Sequence, residues 1–389
     1  MSYKEKRAYL KEILKRYKKS SRQQKKIILD EFCAVCHYNR KYAIRILHQR
    51  ATKNKHKRGR KPRYESTRLL EPLKNIWLAS DQACSKRLKA IIRNWMPSYE
   101  EQYGLLDDAI RGQLFSLSPA TIDRLLKPFR ANHKRKGLSG TKPGRLLKNQ
   151  IPIKTDHWDV TQPGYLEADT VAHCGNSLAG DFVWSITFTD ILSTWTEIRA
   201  TWNKGAEGVI KQTRDVEQAL PFEILGFDCV NGSEFLNHHL IRYFTERHNP
   251  VQFTRSRPYR KNDNAHVEQK NWSHVRQLLG YDRLSDERLV MLLNDLYSNE
   301  WSLYQNYFCP TMKLIEKTKI NSKYRKRYDN PLTPYERLLA SNAISQDVKD
   351  KLKAKYQTLN PFCLKERIEQ KLKKIFQFVT ITTQVRKRL

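Results

Sequence analysis

Between residues 165 and 276 the hydrophobic period changes several times, and the order of those changes restricts the fold more than any other feature of the chain. Strand-like apolar runs occupy Tyr165–Ala172, Phe182–Ile191 and Thr194–Trp202. A helical segment follows at Glu207–Leu220, then a strand at Phe222–Val230, a helix at Ser233–His248 and a short strand at Val251–Thr254. Asn264 then caps a helix in which Glu268, Trp272, Val275 and Leu279 recur at helical spacing. The order βββ-α-β-α-β-α calls for a mixed sheet with helices laid against it, an α/β layer architecture. Asp286–Tyr307 reads as a further helix, rich in leucine and aromatic residues.

Three acids stand out within this frame. Asp169 lies in the first strand, in YLEADTVA. Asp228 lies near the end of the fourth strand, in GFDCVNGSEF. Glu268 lies in the first turns of the Asn264-capped helix, among Arg255, Arg257, Arg260, Lys261, Lys270 and Arg276. Isolated carboxylates at strand ends and helix starts are costly when buried and need a partner. One partner is the surrounding lysine and arginine. The other is a shared hard cation of the kind that phosphodiester chemistry uses, bound through carboxylate oxygens. Both readings are open at this level. Lys270, Asn271, His274 and Arg276 read as lining a DNA path on the Glu268 helix or as a solvated face, whereas Trp272 is expected in the core. His173 and Cys174 read as turn-packing residues, and Glu234 as an acid favoured by a helix N-terminus.

Charge decides what such a chain meets. The 389 residues contain 73 Lys and Arg against 40 Asp and Glu, a formal net charge of +33. This excess destabilises a compact chain unless a polyanion is near, and it attracts phosphate backbones. No apolar run reaches the roughly 18 residues of a membrane span, and the start MSYKEKRAYL has no signal-peptide core. Nucleic acid is the expected partner, no membrane is expected, and the expected location is the cytoplasm, in association with the nucleoid. Seven scattered cysteines form no disulfide framework. Cys33-x-x-Cys36-His37 sits inside a helical pattern with no second ligand pair, so it reads as core.

The flanking regions divide by composition. Residues 1–50 contain a helical pair, Gln24–Cys36 and Lys41–Gln49, with Ile27, Ile28, Phe32, Val35, Ile44 and Leu47 as its buried stripe; it resembles a helix-turn-helix. Residues 51–68 form a basic linker in which Arg58, Arg60 and Lys61 resemble a minor-groove arm or belong to a solvated spacer. Residues 69–130 hold two further helical pairs that read as DNA-binding modules, and residues 131–160 a second basic linker. A core at 161–310 follows, then a basic, mostly helical region at 311–389 whose Lys313–Arg327 stretch holds seven Lys and Arg.

The element order, LEADTVAHCG around Asp169, NGSEF after the fourth strand and NDNAHVEQKN around Glu268 together resemble the catalytic core of retroviral-integrase-type transposases, found in bacterial insertion sequences. The resemblance covers roughly residues 160–310, and the helical and basic flanks match the family's usual surroundings. It implies a ribonuclease-H-like, mixed five-stranded sheet with flanking helices. It also implies an acidic triad (here Asp169, Asp228 and Glu268) holding two Mg²⁺ or Mn²⁺ ions for DNA cleavage and strand transfer. Its implied partners are double-stranded DNA, both element ends and target, and further copies of the chain assembled on that DNA.

In one place the chain departs from the family pattern. The family's second metal-binding Asp usually stands immediately before Asn-Gly, where this chain has Val230. Asp228 is two residues earlier, on the same strand face but about 6.6 Å away. Mg²⁺ holds its ligands at about 2.1 Å, so Asp228 can substitute only through a bent strand end or a bridging water. An inert DNA-binding relative is therefore the alternative to an active transposase. A stand-alone ribonuclease-H-type nuclease fits the helical modules less well.

Overall fold

A computed structural model describes residues 1–48, 64, 67–132, 160–203, 205–229, 235, 238–255, 265–320 and 322–388. The chain divides into two compact units, Met1–Arg63 and Tyr64–Leu389.

The first unit contains α1 (Tyr3–Lys19), α2 (Arg22–Cys36) and α3 (Arg40–Leu47). Ser2 and Glu5 form a capping box on α1, and Ser21 and Gln24 form another on α2. The buried set is Ile13, Tyr17, Ile28, Leu29, Phe32, Cys36, Ala43 and Leu47, while Ile27, Val35 and Ile44 are exposed. The expected stripe is thus rotated, because α1 supplies Ile13 and Tyr17 and draws a different edge of α2 inward. Cys36 is fully buried in this core.

The second unit is built on a five-stranded mixed sheet, in the order β3-β2-β1-β4-β5. Its strands are β1 (Tyr165–Ala172), β2 (Val183–Asp190), β3 (Thr196–Trp202), β4 (Gly226–Cys229) and β5 (Gln252–Arg255). β1, β2 and β3 form an antiparallel meander, and β4 and β5 add in parallel beside β1. This is the ribonuclease-H-like arrangement. Leu166 and Ala168 of β1, Ile186 and Phe188 of β2 and Phe227 and Cys229 of β4 share one core with α8 (Ala206–Ala219) and α9 (His238–Thr245). Their alternate neighbours face the other way, as a strand's period of two requires.

On that other side lies α10, which runs from Ala265–Lys270 through a π-helical turn at Asn271–Arg276 to Gln277–Leu279. Beyond it, α11 comprises Arg288–Asp295, the π turn Leu296–Trp301 and Ser302–Phe308. The helices α4 (Thr67–Ala79), α5 (Ser85–Tyr103), α6 (Asp108–Ser116) and α7 (Pro119–Asn132) join the same core, as do α12 (Pro334–Ala340), α13 (Gln346–Gln357) and α14 (Pro361–Arg388). Leu73, Ile92 and Trp95 pack there with Val275, Leu293, Tyr304 and Ile368. Polar ties reinforce it: the Tyr304 hydroxyl donates to the Ala79 carbonyl at 2.6 Å, and the Asn94 amide to Glu336 at 2.9 Å. The helices of 67–132 are therefore packed into the core of the second unit. Between α11 and α12 the chain forms an antiparallel ribbon of β6 (Leu314–Ile320) and β7 (Lys323–Tyr328). No helix among the described residues is long and apolar enough to cross a membrane.

Candidate active site

The face of the sheet turned toward α10 carries a polar row. Glu167 and Asp169 alternate along β1; Thr189 and Thr187 stand abreast of them on β2, and Asp228 is abreast of Glu167 on β4. Thr254 of β5 extends the row beside Asp228. A row of this kind in a sheet centre must be satisfied by whatever packs on it.

Glu167 is satisfied by the start of α10. It is 3% exposed, and one carboxylate oxygen accepts from the backbone N–H groups of His266 and Val267 at 3.0 and 2.9 Å. The other oxygen lies 2.8 Å from His266 Nδ1. Those N–H groups are among the donors that a helix start leaves without intrahelical partners, and the helix dipole favours an anion there. Glu167 thus fixes where the helix bearing Glu268 begins. Sequence reasoning passed over it; the available signal was a second acid two residues before Asp169, on the same face of an otherwise apolar strand.

Asp169 is half-buried. Its Oδ1 accepts from Thr170 N at 2.7 Å and its Oδ2 from Asn271 Nδ2, also at 2.7 Å. Donation to a carboxylate fixes the orientation of the Asn271 amide, since only the nitrogen side can donate. Asn271 Oδ1 is then buried without a hydrogen-bond partner among the described residues, and so is Thr187 Oγ1, abreast of Asp169. Glu268 is exposed and lies three residues before Asn271, so the two share a helix face. The structure therefore brings the Asp169 strand and the Glu268 helix together through Asn271.

Asp228 occupies a different level. It is 5% exposed, accepts from Thr254 Oγ1 at 2.8 Å, and is paired with Glu167, two residues before Asp169 along β1. Among the described residues no group of three His, Cys, Asp or Glu side chains gathers to hold a metal ion. The oxygen donors around Asp169 nevertheless suit a hydrated divalent cation, because Asn271 Oδ1 and Thr187 Oγ1 have no partner among the described residues and Mg²⁺ retains several waters when bound. Val230 lies outside the described residues.

The basic residues fall into different settings. Lys270 is buried, with Nζ 3.4 Å from His274 Nε2, and burial followed by the charge of Arg87 pushes its pKa down to about 7. Burial also holds His274 well below the ordinary histidine range. Arg276 donates to the Ala172 carbonyl at 2.9 Å, lies over the Tyr281 ring at 4.6 Å, and has its pKa lowered chiefly by burial. Lys270 and His274 thus pack inside rather than along an open path, because α10 is held between the sheet and the helical core, while Arg276 is half-buried. Trp272 is instead 42% exposed. His173 is buried with Nε2 2.8 Å from Ser185 Oγ, which lies 2.9 Å from Tyr297 Oη; burial, then the charge of Arg276, pushes its pKa down to about 3. Arg255 closes β5 opposite Cys229. Arg58, Arg60, Lys61, Arg257, Arg260 and Lys261 lie outside the described residues.

No protein-family profile matches the chain. The uncharacterized protein y4rM of Sinorhizobium fredii is 39% identical to it over 333 residues, covering 84% of this chain and 92% of that protein. The chain belongs to the y4rM family. Solved structures similar to this y4rM-family chain include the HTLV-2 integrase catalytic core domain in complex with magnesium, at 14% identity and a TM-score of 0.28, covering 38% of this chain and 90% of that one. The BIV integrase catalytic core domain is similar at 15% identity and a TM-score of 0.27, covering 50% and 99%. The simian T-cell lymphotropic virus intasome in complex with PP2A regulatory subunit B56 gamma is similar at 14% identity and a TM-score of 0.30, covering 60% and 87%. For the y4rM-family chain, strand order and register carry the architecture.

Proposed function

We propose that the chain is a retroviral-integrase-type transposase that binds the ends of its mobile element and catalyses metal-dependent DNA cleavage and strand transfer. The observation that supports this reading is the junction of Asp169 with Asn271, one turn beyond Glu268, on the polar face of a ribonuclease-H-like sheet. Asp169 and Glu268 are the carboxylates that would hold Mg²⁺ or Mn²⁺; Asp228, level with Glu167, would complete a two-ion site as its third acid only where β4 bends toward Asp169. Bound there, the cation would polarise a DNA phosphate and neutralise developing charge. Glu167 keeps the Glu268 helix in place, and Asn271 orients the Asp169 carboxylate. The net charge of +33 supplies the attraction to duplex DNA, on which several copies of the chain assemble.

A second reading, an inert DNA-binding relative, is favoured by Asp228, which is buried, bonded to Thr254 and level with Glu167 rather than Asp169. Incubating the purified chain with Mn²⁺ and a plasmid carrying the DNA that flanks its coding region decides between them. End-specific nicking that is lost in Asp169→Asn and Glu268→Gln supports the transposase. No cleavage by the natural chain, with cleavage appearing in Val230→Asp, supports the inert relative.

A further inference from the structure

β6 and β7 form a ribbon paired to no other strand among the described residues, and nearly every residue of it is exposed. An isolated two-stranded hairpin is marginal in water, so it needs an anchor or a partner. The anchor is visible at its base. Lys313 Nζ donates to the carbonyls of Ile191 and Leu192, in the β2–β3 turn of the main sheet, at 2.9 and 3.1 Å. Lys313 N donates to Asp329 Oδ1 at 2.6 Å, and Arg337 pairs with Asp329 at 2.7 Å. The ribbon is thus rooted on the rigid sheet that carries Asp169.

Its two strands carry six cations, Lys317, Lys319, Lys323, Arg325, Lys326 and Arg327, against one acid, Glu316, for a net charge of 6 − 1 = +5. The register sets Lys317 directly abreast of Lys326, a like-charge pairing that weakens a ribbon standing alone. Glu316 pairs with Arg327 at 3.1 Å, and Lys317 lies over the Tyr324 ring at 4.5 Å. Alternation places Lys317, Lys319 and Lys326 on one face and Lys323, Arg325 and Arg327 on the other. A flat acidic surface would meet one such face. Phosphates lining both walls of a groove meet both, and the major groove, about 12 Å wide, admits a two-stranded ribbon.

We propose that the β6–β7 ribbon is a duplex-DNA contact that enters a groove and takes phosphates on both faces. The inference rests on the reading that the chain acts on DNA, and it assigns that partner to a defined surface. The test uses the full chain with Lys319→Gln, Lys323→Gln, Arg325→Gln and Lys326→Gln together, leaving the Glu316–Arg327 and Lys317–Tyr324 contacts intact. A control removes three exposed cations of α13, Lys351→Gln, Lys353→Gln and Lys355→Gln. Fluorescence anisotropy on a mixed-sequence duplex, across a salt titration, should show the slope of log affinity against log salt smaller by roughly 2–4 in the ribbon variant and little changed in the control. Unchanged melting temperatures show that both variants fold. An equal fall in both variants, or a ribbon effect confined to single-stranded DNA, overturns the ribbon assignment while leaving DNA action standing. A natural chain that binds no DNA overturns both.

Discussion

Asn271 Nδ2 donates to Asp169 Oδ2 across 2.7 Å, and this contact ties the central strand of the sheet to the helix that carries Glu268 at the level of Asp169. It leaves Asn271 Oδ1 buried and unpaired among the described residues, next to a carboxylate. Asn271→Asp would set a second carboxylate against Asp169 in the same space. Two like charges so close should lower stability by roughly 1–3 kcal/mol, and a bound divalent cation should restore it. Melting curves with chelator and with Mn²⁺ measure this. The expected result is a lower melting temperature in chelator and a larger Mn²⁺-induced rise than in the natural chain. Equal curves with and without Mn²⁺ would remove the cation from this site.

Glu167 should prove to be a structural carboxylate whose loss is felt at the start of α10. Glu167→Ala leaves the His266 and Val267 N–H groups without their acceptor, at a cost of roughly 1–3 kcal/mol. Urea denaturation measures the total. Amide exchange locates it, with protection lost first at His266 and Val267. A uniform loss of protection across β1 would instead mean that Glu167 supports the strand and not the helix.

Much of this arrangement was legible beforehand. The five strands, their succession along the chain and the mixed sheet they imply follow from alternation and from the spacing of apolar runs. Which residue stands abreast of which does not, because a period of two fixes a face and leaves the register free. That is why the pairing of Asp228 with Glu167 emerged only in three dimensions. Glu167 itself was hidden because its partners lie about a hundred positions later, at a helix start. Helix α1 was missed because Ile13 and Tyr17 are set among so many lysines that the segment reads as a charged tail. The burial of Lys270 escaped for another reason: its helix is covered on two sides, and a sequence shows only one stripe at a time.

Lys270 is a stability liability at neutral pH. Its folded pKa, about 7, lies below the ordinary lysine value of 10.5, so between those values the unfolded chain holds a proton that the folded chain has released. Stability from this group therefore rises with pH from about 7 to about 10.5, and below 7 the folded chain carries the full cost of a buried cation. Lys270→Met should stabilise the protein by roughly 2–4 kcal/mol at pH 6, with the gain shrinking as pH rises through this window. Denaturant titrations of both proteins from pH 6 to 10 check it. A destabilised variant at pH 6 would show that the ammonium has a compensating partner.

Asp169 and Asp228 should respond differently to the same change. Asn271, which donates to Asp169, and Thr187, abreast of it, each keep a buried oxygen with no hydrogen-bond partner among the described residues, whereas Asp228 is buried, bonded to Thr254 and level with Glu167. Replacing a ligand carboxylate by an amide removes charge and one strong oxygen donor, which weakens a hard-cation site by roughly tenfold or more. Replacing a carboxylate outside the first coordination sphere mainly affects packing and its own hydrogen bond. Asp169→Asn should therefore lower Mn²⁺ affinity at least tenfold by calorimetry, while Asp228→Asn should leave it within about threefold and lower the melting temperature instead. Equal losses of affinity would place Asp228 at the cation, and would require β4 to bend toward Asp169 when the ion binds.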